Sequence, residues 1–303
     1  MPAVTCCKPP LWRAGLTALA MIAAVTVSGP AVYAMRGSAQ DGKILYLANC
    51  QQCHGPEGKG DGSASAYLMR RPRNFAEGVY KIKTSPPGWI IPRDEDIFAV
   101  ITNGTSSSGM PPYAKILTDD ERWSLVAYLK SLSDAFNVEG NPPSLDYSGR
   151  VAYSPQSVER GEKVYFRLKC VECHGQEGRG PAMKKLKDDY GEPIWPRDLT
   201  RPSTFIGPYT PEALYSRVTN GIPLTPMPQH AQAGNEPVPA QDRWDVVNYI
   251  TWLKDEAQVK RRNWMIALIG ALALTAFLGR GWIIRLIGAM GNTGKPIPRN
   301  QGK

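Results

Sequence analysis

The 303-residue chain contains few cysteines and very few histidines. Two of its six cysteines, Cys6 and Cys7, lie near the N-terminus, and the other four lie in two short stretches. The three histidines are His54, His174 and His230, and two of them lie in those same stretches. Beyond the first 34 residues no cysteine is left over for a disulfide framework, which excludes the small disulfide-stabilised secreted class.

Acidic residues are missing from one part of the chain. The formal net charge is +9, yet basic and acidic residues balance over 41–135, with 11 of each, and over 150–259, with 14 of each. The segment 260–303 has 8 basic residues and no acidic one. An excess confined in this way is typical of the flank of a membrane anchor and not of a nucleic-acid-binding face. We therefore predict no nucleic-acid partner.

Two motifs carry the chemistry of the chain. They are Cys50-Gln-Gln-Cys53-His54 and Cys170-Val-Glu-Cys173-His174. In each motif, the two thiols can form thioethers with the vinyl groups of a porphyrin, and the histidine that follows can bind the iron. Structural zinc is the alternative, but it requires four protein ligands and each motif brings three. The motifs predict two covalently bound haem c groups.

The motifs begin two copies of one module. Pro72-Arg73-Asn74 corresponds to Pro196-Arg197-Asp198, and Asn103-Gly104 corresponds to Asn220-Gly221. Helices are predicted over 41–49, over 94–101 and from Trp123 in the first copy, and over 160–169, over 211–218 and from Trp244 in the second. A capping box at Thr118 and Glu121 precedes the closing helix of the first copy, which we expect to pack against the first helix. Strand patterns are nearly absent, so the predicted class is all-α.

Glycine-rich stretches at 55–62 and 175–180 follow the two motifs. Phosphate-binding loops have a similar composition, but neither stretch follows a predicted strand, which such loops require. We expect these glycines to let the backbone turn tightly beside the porphyrin.

Methionine loops offer a sixth ligand for each iron. In the first copy the candidates are Met110, followed by two prolines that stiffen its loop, and Met69. In the second copy Met227 lies between prolines at the matching place, and His230 is the alternative three residues later. Thioether ligation raises the reduction potential, whereas a second histidine would lower it. We expect Met110 and Met227 to bind iron, with His230 left open.

Two arginines follow prolines at matching positions, Arg73 and Arg197. Arginine binds carboxylates through paired hydrogen bonds, and haem propionates are paired carboxylates. We expect both residues to bind propionates, the alternative being an ordinary surface position.

The two ends of the chain have the composition of export and membrane segments. Lys8 and Arg13, an apolar run over 16–27 and the sequence Ala-Val-Tyr-Ala at 31–34 predict a signal peptide cleaved after Ala34, or a retained anchor. Residues 264–278 form a charge-free, mostly apolar run, shorter than the ~20 residues of a usual span. With Trp264 and Trp282 at the interfaces, we expect a single-pass transmembrane helix, the alternative being a helix lying on the surface.

Each copy resembles a class I c-type cytochrome: a helix, a Cys-x-x-Cys-His motif, a glycine-rich loop, a middle helix, a Met-Pro loop and a closing helix. The resemblance covers about 41–134 and 158–257. Tandem copies with a C-terminal anchor resemble the membrane-bound dihaem cytochrome c subunits of bacterial respiratory complexes. That resemblance implies one-electron transfer between a membrane redox complex and a soluble or membrane-bound acceptor, on the periplasmic side of the bacterial inner membrane. His230 and an extra residue between Tyr165 and Cys170 depart from the repeat.

The fold expected is all-α, with two tandem class I cytochrome c domains and a C-terminal transmembrane helix that contacts the lipid bilayer. The predicted segments are a signal peptide at 1–34, a first domain at 41–136, a linker at 137–156, a second domain at 157–258, an anchor at 263–287 and a cytoplasmic tail at 288–303. An electron relay without catalytic residues is the main hypothesis. The alternatives are a dihaem peroxidase or sulfur-compound oxidase with one open haem, and an assembly subunit with structural haems.

Overall fold

The computed structural model describes residues 37–105, 107–180, 182, 185–231 and 237–291, with backbone alone at 138–139 and 278–291. The predicted signal peptide and residues 292–303 of the predicted tail lie outside this part of the chain. The described residues are mostly helical. The helices are α1 (Ala39–Asn49), α2 (Gln51–His54), α3 (Asp94–Asn103), α4 (Asp119–Ser131), α5 (Ala135–Glu139), α6 (Pro155–Arg167), α7 (Cys170–His174), α8 (Pro211–Asn220) and α9 (Ala240–Gly291), with short 3-10 turns at Ser65–Tyr67 and Pro202–Thr204.

In both copies the first and closing helices cross at a glycine. A Cβ on Gly42 of α1 would lie 2.0 Å from the main-chain oxygen of Ser124 in α4. A Cβ on Gly161 of α6 would lie 2.0 Å from the main-chain oxygen of Asp245 in α9. Only glycine allows two helix backbones to approach this closely. The predicted packing of the closing helix on the first helix is confirmed.

The capping box predicted for the start of the closing helix of the first copy is present. The Thr118 hydroxyl accepts a hydrogen bond from the Glu121 amide at 3.3 Å, and the Glu121 carboxylate accepts from the Thr118 amide at 2.7 Å, which completes the capping box. Helices α3 and α8 end at Gly104 and Gly221, whose φ angles are 63° and 64°. Their ψ angles of -168° and -163° lie outside the left-handed helical region, in an extended conformation open essentially to glycine alone.

One small strand pair corrects the all-α prediction. Strands β1 (Leu186–Lys187) and β2 (Pro193–Ile194) pair antiparallel, with Leu186 opposite Ile194. They belong to an insertion, since the segment between the motif histidine and the Pro-Arg pair is four residues longer in the second copy than in the first. Strands of two residues are too short to produce an alternating pattern, so periodicity could not reveal them.

Part of the predicted linker packs into the second copy. Leu145 is 7% exposed and belongs to the hydrophobic core around Trp244. Its main-chain amide donates to the Thr84 carbonyl of the first copy at 2.7 Å. The Tyr147 ring lies 5.9 Å from the Tyr215 ring and 6.4 Å from the Trp244 ring. The segment therefore joins the copies through packing as well as through the chain.

Helix α9 continues without a break from the closing helix of the second copy into the predicted anchor. Residues up to Ala257 contribute to the core, whereas every side chain over 262–277 is exposed, including Trp264 at 66% and Phe277 at 75%. Among the residues that the structure describes, no helix is both long enough and apolar enough to count as a membrane span. The transmembrane segment stays a prediction.

Candidate haem sites

The first cavity gathers the residues that the sequence predicted for the first copy. Cys50, Cys53, His54 and Met110 all line it, together with apolar side chains from α3 and α4. Met69, the alternative ligand, is 94% exposed and is not part of the lining. The structure therefore brings Met110, and not Met69, to the side chains of the motif.

The second cavity has the same organisation in the second copy. Cys170, His174, Arg197 and Met227 line it, and so does His230, which is 7% exposed. Cys173 does not belong to the lining, although it lies in the same short helix as Cys170 and His174. Both of the sixth-ligand candidates that the sequence left open thus face this cavity.

Each motif histidine is held by a main-chain carbonyl. The ring nitrogen Nδ1 of His54 lies 3.1 Å from the Arg73 carbonyl oxygen, and Nδ1 of His174 lies 3.0 Å from the Arg197 carbonyl oxygen. Because a carbonyl can only accept, Nδ1 carries the proton in each ring and Nε2 is left with its lone pair. Burial lowers the pKa of both imidazoles, which favours the neutral form. A neutral imidazole with a fixed tautomer is the form that binds a metal.

The Pro-Arg pairs therefore have a role that the sequence did not reveal, since their main-chain carbonyls orient the histidines. The loop after each motif holds the segment that carries this carbonyl, because the Phe75 amide donates to the Gly58 carbonyl at 2.7 Å and the Leu199 amide donates to the Gly178 carbonyl at 2.6 Å. The same loop also returns to the histidine itself. The Gly60 amide donates to the His54 carbonyl at 2.8 Å, and the Gly180 amide donates to the His174 carbonyl at 2.7 Å. The proline before each arginine fixes one backbone angle at the same point.

The extra residue of the second copy is absorbed next to its motif. Lys169 has a φ of 59°, between the end of α6 and Cys170. Beyond it the repeat resumes, because the Tyr165 hydroxyl donates to the Gly175 carbonyl at 2.7 Å, just as the Tyr46 hydroxyl donates to the Gly55 carbonyl at 2.7 Å. The insertion thus leaves the backbone around the histidine unchanged.

Backbone hydrogen bonds indicate which residues of the two methionine loops correspond. The Met110 carbonyl accepts from the Thr105 amide at 2.9 Å, and the Met227 carbonyl accepts from the Ile222 amide at 3.3 Å. Both pairs are separated by five residues.

The next residues of the loops correspond as well. The Tyr113 amide donates to the Ile101 carbonyl at 3.1 Å, and the His230 amide donates to the Val218 carbonyl at 3.3 Å. His230 therefore occupies the place of Tyr113, a buried residue whose hydroxyl donates to the Asn49 carbonyl at 2.9 Å. The counterpart of Met110 is Met227.

The cavities contain buried polar atoms that suit a haem group. Within the described residues, Nη1 of Arg73, Nη2 of Arg197 and the Tyr80 hydroxyl are buried without a hydrogen-bond partner. Burial lowers the pKa of Arg73, and it lowers the pKa of Arg197 to about 10. Buried donors of this kind require acceptors, and carboxylates are the acceptors that arginine binds best. A haem with its propionates on this side satisfies them, so the residues present fit the group.

Sequence reasoning did not find the residues that the two cavities share. Lys81, Ile82 and Ile206 line both of them. No motif distinguishes these residues. Ile82 and Ile206 do occupy matching positions, with the same spacing of 124 that separates Arg73 from Arg197. The shared spacing is the sequence feature that pairs Ile82 with Ile206.

Comparisons with known proteins agree with this geometry. Residues 37–129 and 156–250 each match the family described as cytochrome C oxidase, cbb3-type, subunit III. The chain is 26% identical over 147 residues to the cbb3-type cytochrome c oxidase subunit FixP of Sinorhizobium medicae, a match covering 46% of this chain and 39% of that relative. It is also similar, at 38% identity and a TM-score of 0.64, to a chain of the Kuenenia stuttgartiensis reducing HAO-like protein complex Kustc0457/Kustc0458, covering 72% of this chain and 97% of that one.

Both copies match one family, and the two matched ranges together span more than half of the chain. Membership implies covalently bound haem c and an electron-transfer role. The chain is a dihaem cytochrome c and belongs to the family of subunit III of cbb3-type cytochrome c oxidases.

Proposed function

We propose that the chain is a two-haem electron relay, with one haem in each of the domains 41–136 and 157–258. The observation that carries the proposal is the pair of cavities, each lined by the motif histidine and the loop methionine of one copy, with His230 also lining the second cavity and three of the described residues common to both linings. Bound haem supplies a one-electron iron couple. Two such couples on either side of one wall suit the transfer of single electrons through the protein.

The side chains have separate tasks in this proposal. Cys50 and Cys53, and Cys170 and Cys173, hold the porphyrins through thioethers. His54 and His174 present Nε2 to the metal, each oriented by its carbonyl partner. Met110 and Met227 supply the sixth ligand, while Arg73 and Arg197 donate to propionates. An iron held by both a histidine and a methionine would have no open position for a substrate, so we assign no catalytic residue.

Three observations favour Met227 over His230 as the sixth ligand. Met227 matches Met110 in its hydrogen bond, and His230 matches Tyr113. A Cβ on Gly104 would lie 2.5 Å from the Met110 carbonyl oxygen, and a Cβ on Gly221 would lie 2.6 Å from that of Met227. The same close approach therefore positions both methionine loops.

The relatives suggest the kind of partner. One of them is named as a subunit of an oxidase, and another comes from a redox complex of two proteins. We propose that this chain likewise belongs to a membrane redox complex, taking electrons from a quinol- or substrate-oxidising component and passing them to a soluble or membrane-bound acceptor.

The exposed part of α9 supports a membrane location. Over 262–277 apolar side chains are exposed on all sides of the helix, including Ile269 at 66% and Leu272 at 60%. Such a surface is costly in water and stable in hydrocarbon. We propose a single-pass anchor at 263–287 in the bacterial inner membrane, with the haem domains on the periplasmic side. Alkaline carbonate should leave the full chain in the membrane pellet, and its release into the supernatant would contradict the anchor.

Ligand substitution tests the relay. The mature protein should contain two haem masses, and carbon monoxide should leave both reduced spectra largely unchanged. Met110→Ala and Met227→Ala should each remove about half of the long-wavelength sulfur-to-iron absorption band. A mature protein whose mass includes no haem would refute the proposal.

The main alternative is an enzyme with one open haem. The description of the Kuenenia stuttgartiensis complex as reducing is the observation that favours it. In that case one haem of the wild-type protein would bind carbon monoxide stoichiometrically. One of the two methionine variants would then leave the sulfur-to-iron band intact.

A further inference from the structure

The three residues that line both cavities, Lys81, Ile82 and Ile206, form what we call the wall between them, and one of the three is charged. Ile82 of the first copy and Ile206 of the second are matching positions, both are apolar, and both line the two cavities. The residue before Ile82 is Lys81, which also lines both cavities, whereas the matching residue of the second copy is Phe205, which lines the second cavity alone. The junction therefore receives a lysine from the first copy and a ring from the second.

Lys81 lies within a group of positive charges from both copies. Arg70 and Arg73 of the first copy and Arg197 of the second act on it electrostatically, against the single carboxylate of Asp188. Burial and the neighbouring Arg73 charge lower the pKa of Lys81 to about 8. So many cations around one half-buried amine are unfavourable unless anions are added.

The β1–β2 hairpin of the second copy contacts the first copy beside this cationic group. Its turn contains Asp188 and Tyr190, and the Tyr190 hydroxyl donates to the Glu77 carboxylate of the first copy. The Arg71 guanidinium lies 5.1 Å from the centre of the Tyr190 ring. The hairpin thus ties the copies together beside the cationic group, and its Asp188 carboxylate acts on Lys81 electrostatically.

The two cavity arginines indicate where anions would bind. The guanidinium of Arg73 in the first cavity and that of Arg197 in the second each have a buried nitrogen without a partner within the described residues. Both arginines act electrostatically on Lys81, which borders both cavities. Anionic groups that entered either cavity on this side would meet the same amine.

Building on the proposed two-haem relay, we infer that Lys81 is a shared binding residue, whose ammonium group lies beside a propionate of each haem and couples the two redox centres electrostatically. A positive charge near an iron favours its reduced state. Because one charge acts on both irons, removing it should lower both reduction potentials together. A residue serving a single haem would lower one.

Protein-film voltammetry of the haem-loaded full chain tests this inference. In Lys81→Met both one-electron waves should move to lower potential, with the reduced-to-oxidised ratio at a fixed poise falling about tenfold at each haem, or 59 mV for a one-electron couple. Lys81→Gln is measured beside it, in case the methionine side chain disturbs the wall. Lys81→Arg keeps the charge and should restore both waves.

Lys43→Met is the matched control, because it removes an exposed charge of the first copy that lines neither cavity. It should leave both waves in place. A shift of one wave alone, or of neither, in both Lys81→Met and Lys81→Gln would overturn the shared role. A wild-type protein without two haem masses would instead refute the relay itself, so the two failures are distinguishable.

Discussion

The crossing of α6 and α9 gives the sharpest test of how the second haem domain is built. Replacing Gly161 with alanine puts a Cβ 2.0 Å from the Asp245 carbonyl oxygen, which is main chain and cannot rotate away. Ordinary contact requires about 3.5 Å, so the helices must separate by about 1.5 Å. Overpacking of this kind costs about 1–3 kcal/mol, and occasionally more.

The same displacement would stretch a buried hydrogen-bond network. The Asp245 carboxylate is 1% exposed and accepts hydrogen bonds from Nε and Nη2 of Arg160 at 2.8 and 2.9 Å, and one from the Ser157 hydroxyl. Hydrogen bonds to a charged group contribute about 1.5–3 kcal/mol, and Arg160 is partly exposed, which reduces its share. The higher helix propensity of alanine returns about 1 kcal/mol. We expect a net loss of about 2–3 kcal/mol in the free energy of unfolding.

Urea denaturation of the haem-loaded protein measures this loss. With an m-value of about 2 kcal/mol per molar urea, the midpoint of the second domain should fall by about 1 M or more. Far-UV circular dichroism follows the helices of both copies, and about half of the sulfur-to-iron band belongs to the haem site of the second domain, so the transition of that domain should appear as the half of the band that is lost at lower urea. Gly149→Ala is the control, since a Cβ there meets nothing within 4 Å, and it should stay within about 0.5 kcal/mol of the wild type. A wild-type midpoint for Gly161→Ala, or an equal fall for Gly149→Ala, would refute the reasoning.

Three shorter predictions follow from single contacts. His230→Tyr should keep the full sulfur-to-iron band and bind no carbon monoxide, because Tyr113 occupies the same place in the first copy. Asn220→Ala should cost about 1–3 kcal/mol and separate the thermal transitions of the two copies in calorimetry, since its side chain donates to the buried Ser85 carbonyl of the first copy at 3.0 Å. Thr118→Ala should lower the free energy of unfolding of the first copy by about 1 kcal/mol in urea titrations, and Thr118→Ser should restore most of it.

The helices were predictable because their causes are local. The capping box at Thr118 depends on residues three positions apart, and it is present. Glycines do follow α3 and α8, at Gly104 and Gly221, but in an extended conformation and not in the left-handed one that an Asn-Gly stop favours. Helix starts were less accurate, since α6 begins at Pro155 and not near Arg160. There the Ser154 hydroxyl accepts from the Ser157 amide, a cap that the spacing of apolar residues does not indicate.

The candidate haem residues were found for a chemical reason, and their supporting contacts were not. Two cysteines and a histidine at fixed spacing are recognisable in any sequence. The carbonyls of Arg73 and Arg197, which orient the two imidazoles, are main-chain atoms that every residue possesses. The identity of a residue carries no information about the direction of its carbonyl, so this role required the fold.

The contacts between the two copies are the part of the fold that comparing the copies predicts least. Comparing the copies identifies what they share, and Ile82 and Ile206 could have been paired on that basis. In the proposal, coupling between the haems depends on what the copies do not share: Lys81 where the second copy has Phe205, and the β1–β2 hairpin of the second copy. A lysine in place of Phe205 would put a second ammonium group into the lining of the second cavity, which already contains Lys81 and Arg197, and would increase the repulsion among these cations. A single lysine keeps one charge for both cavities, so the difference between the copies, more than their likeness, makes the pair a single electron-transfer unit.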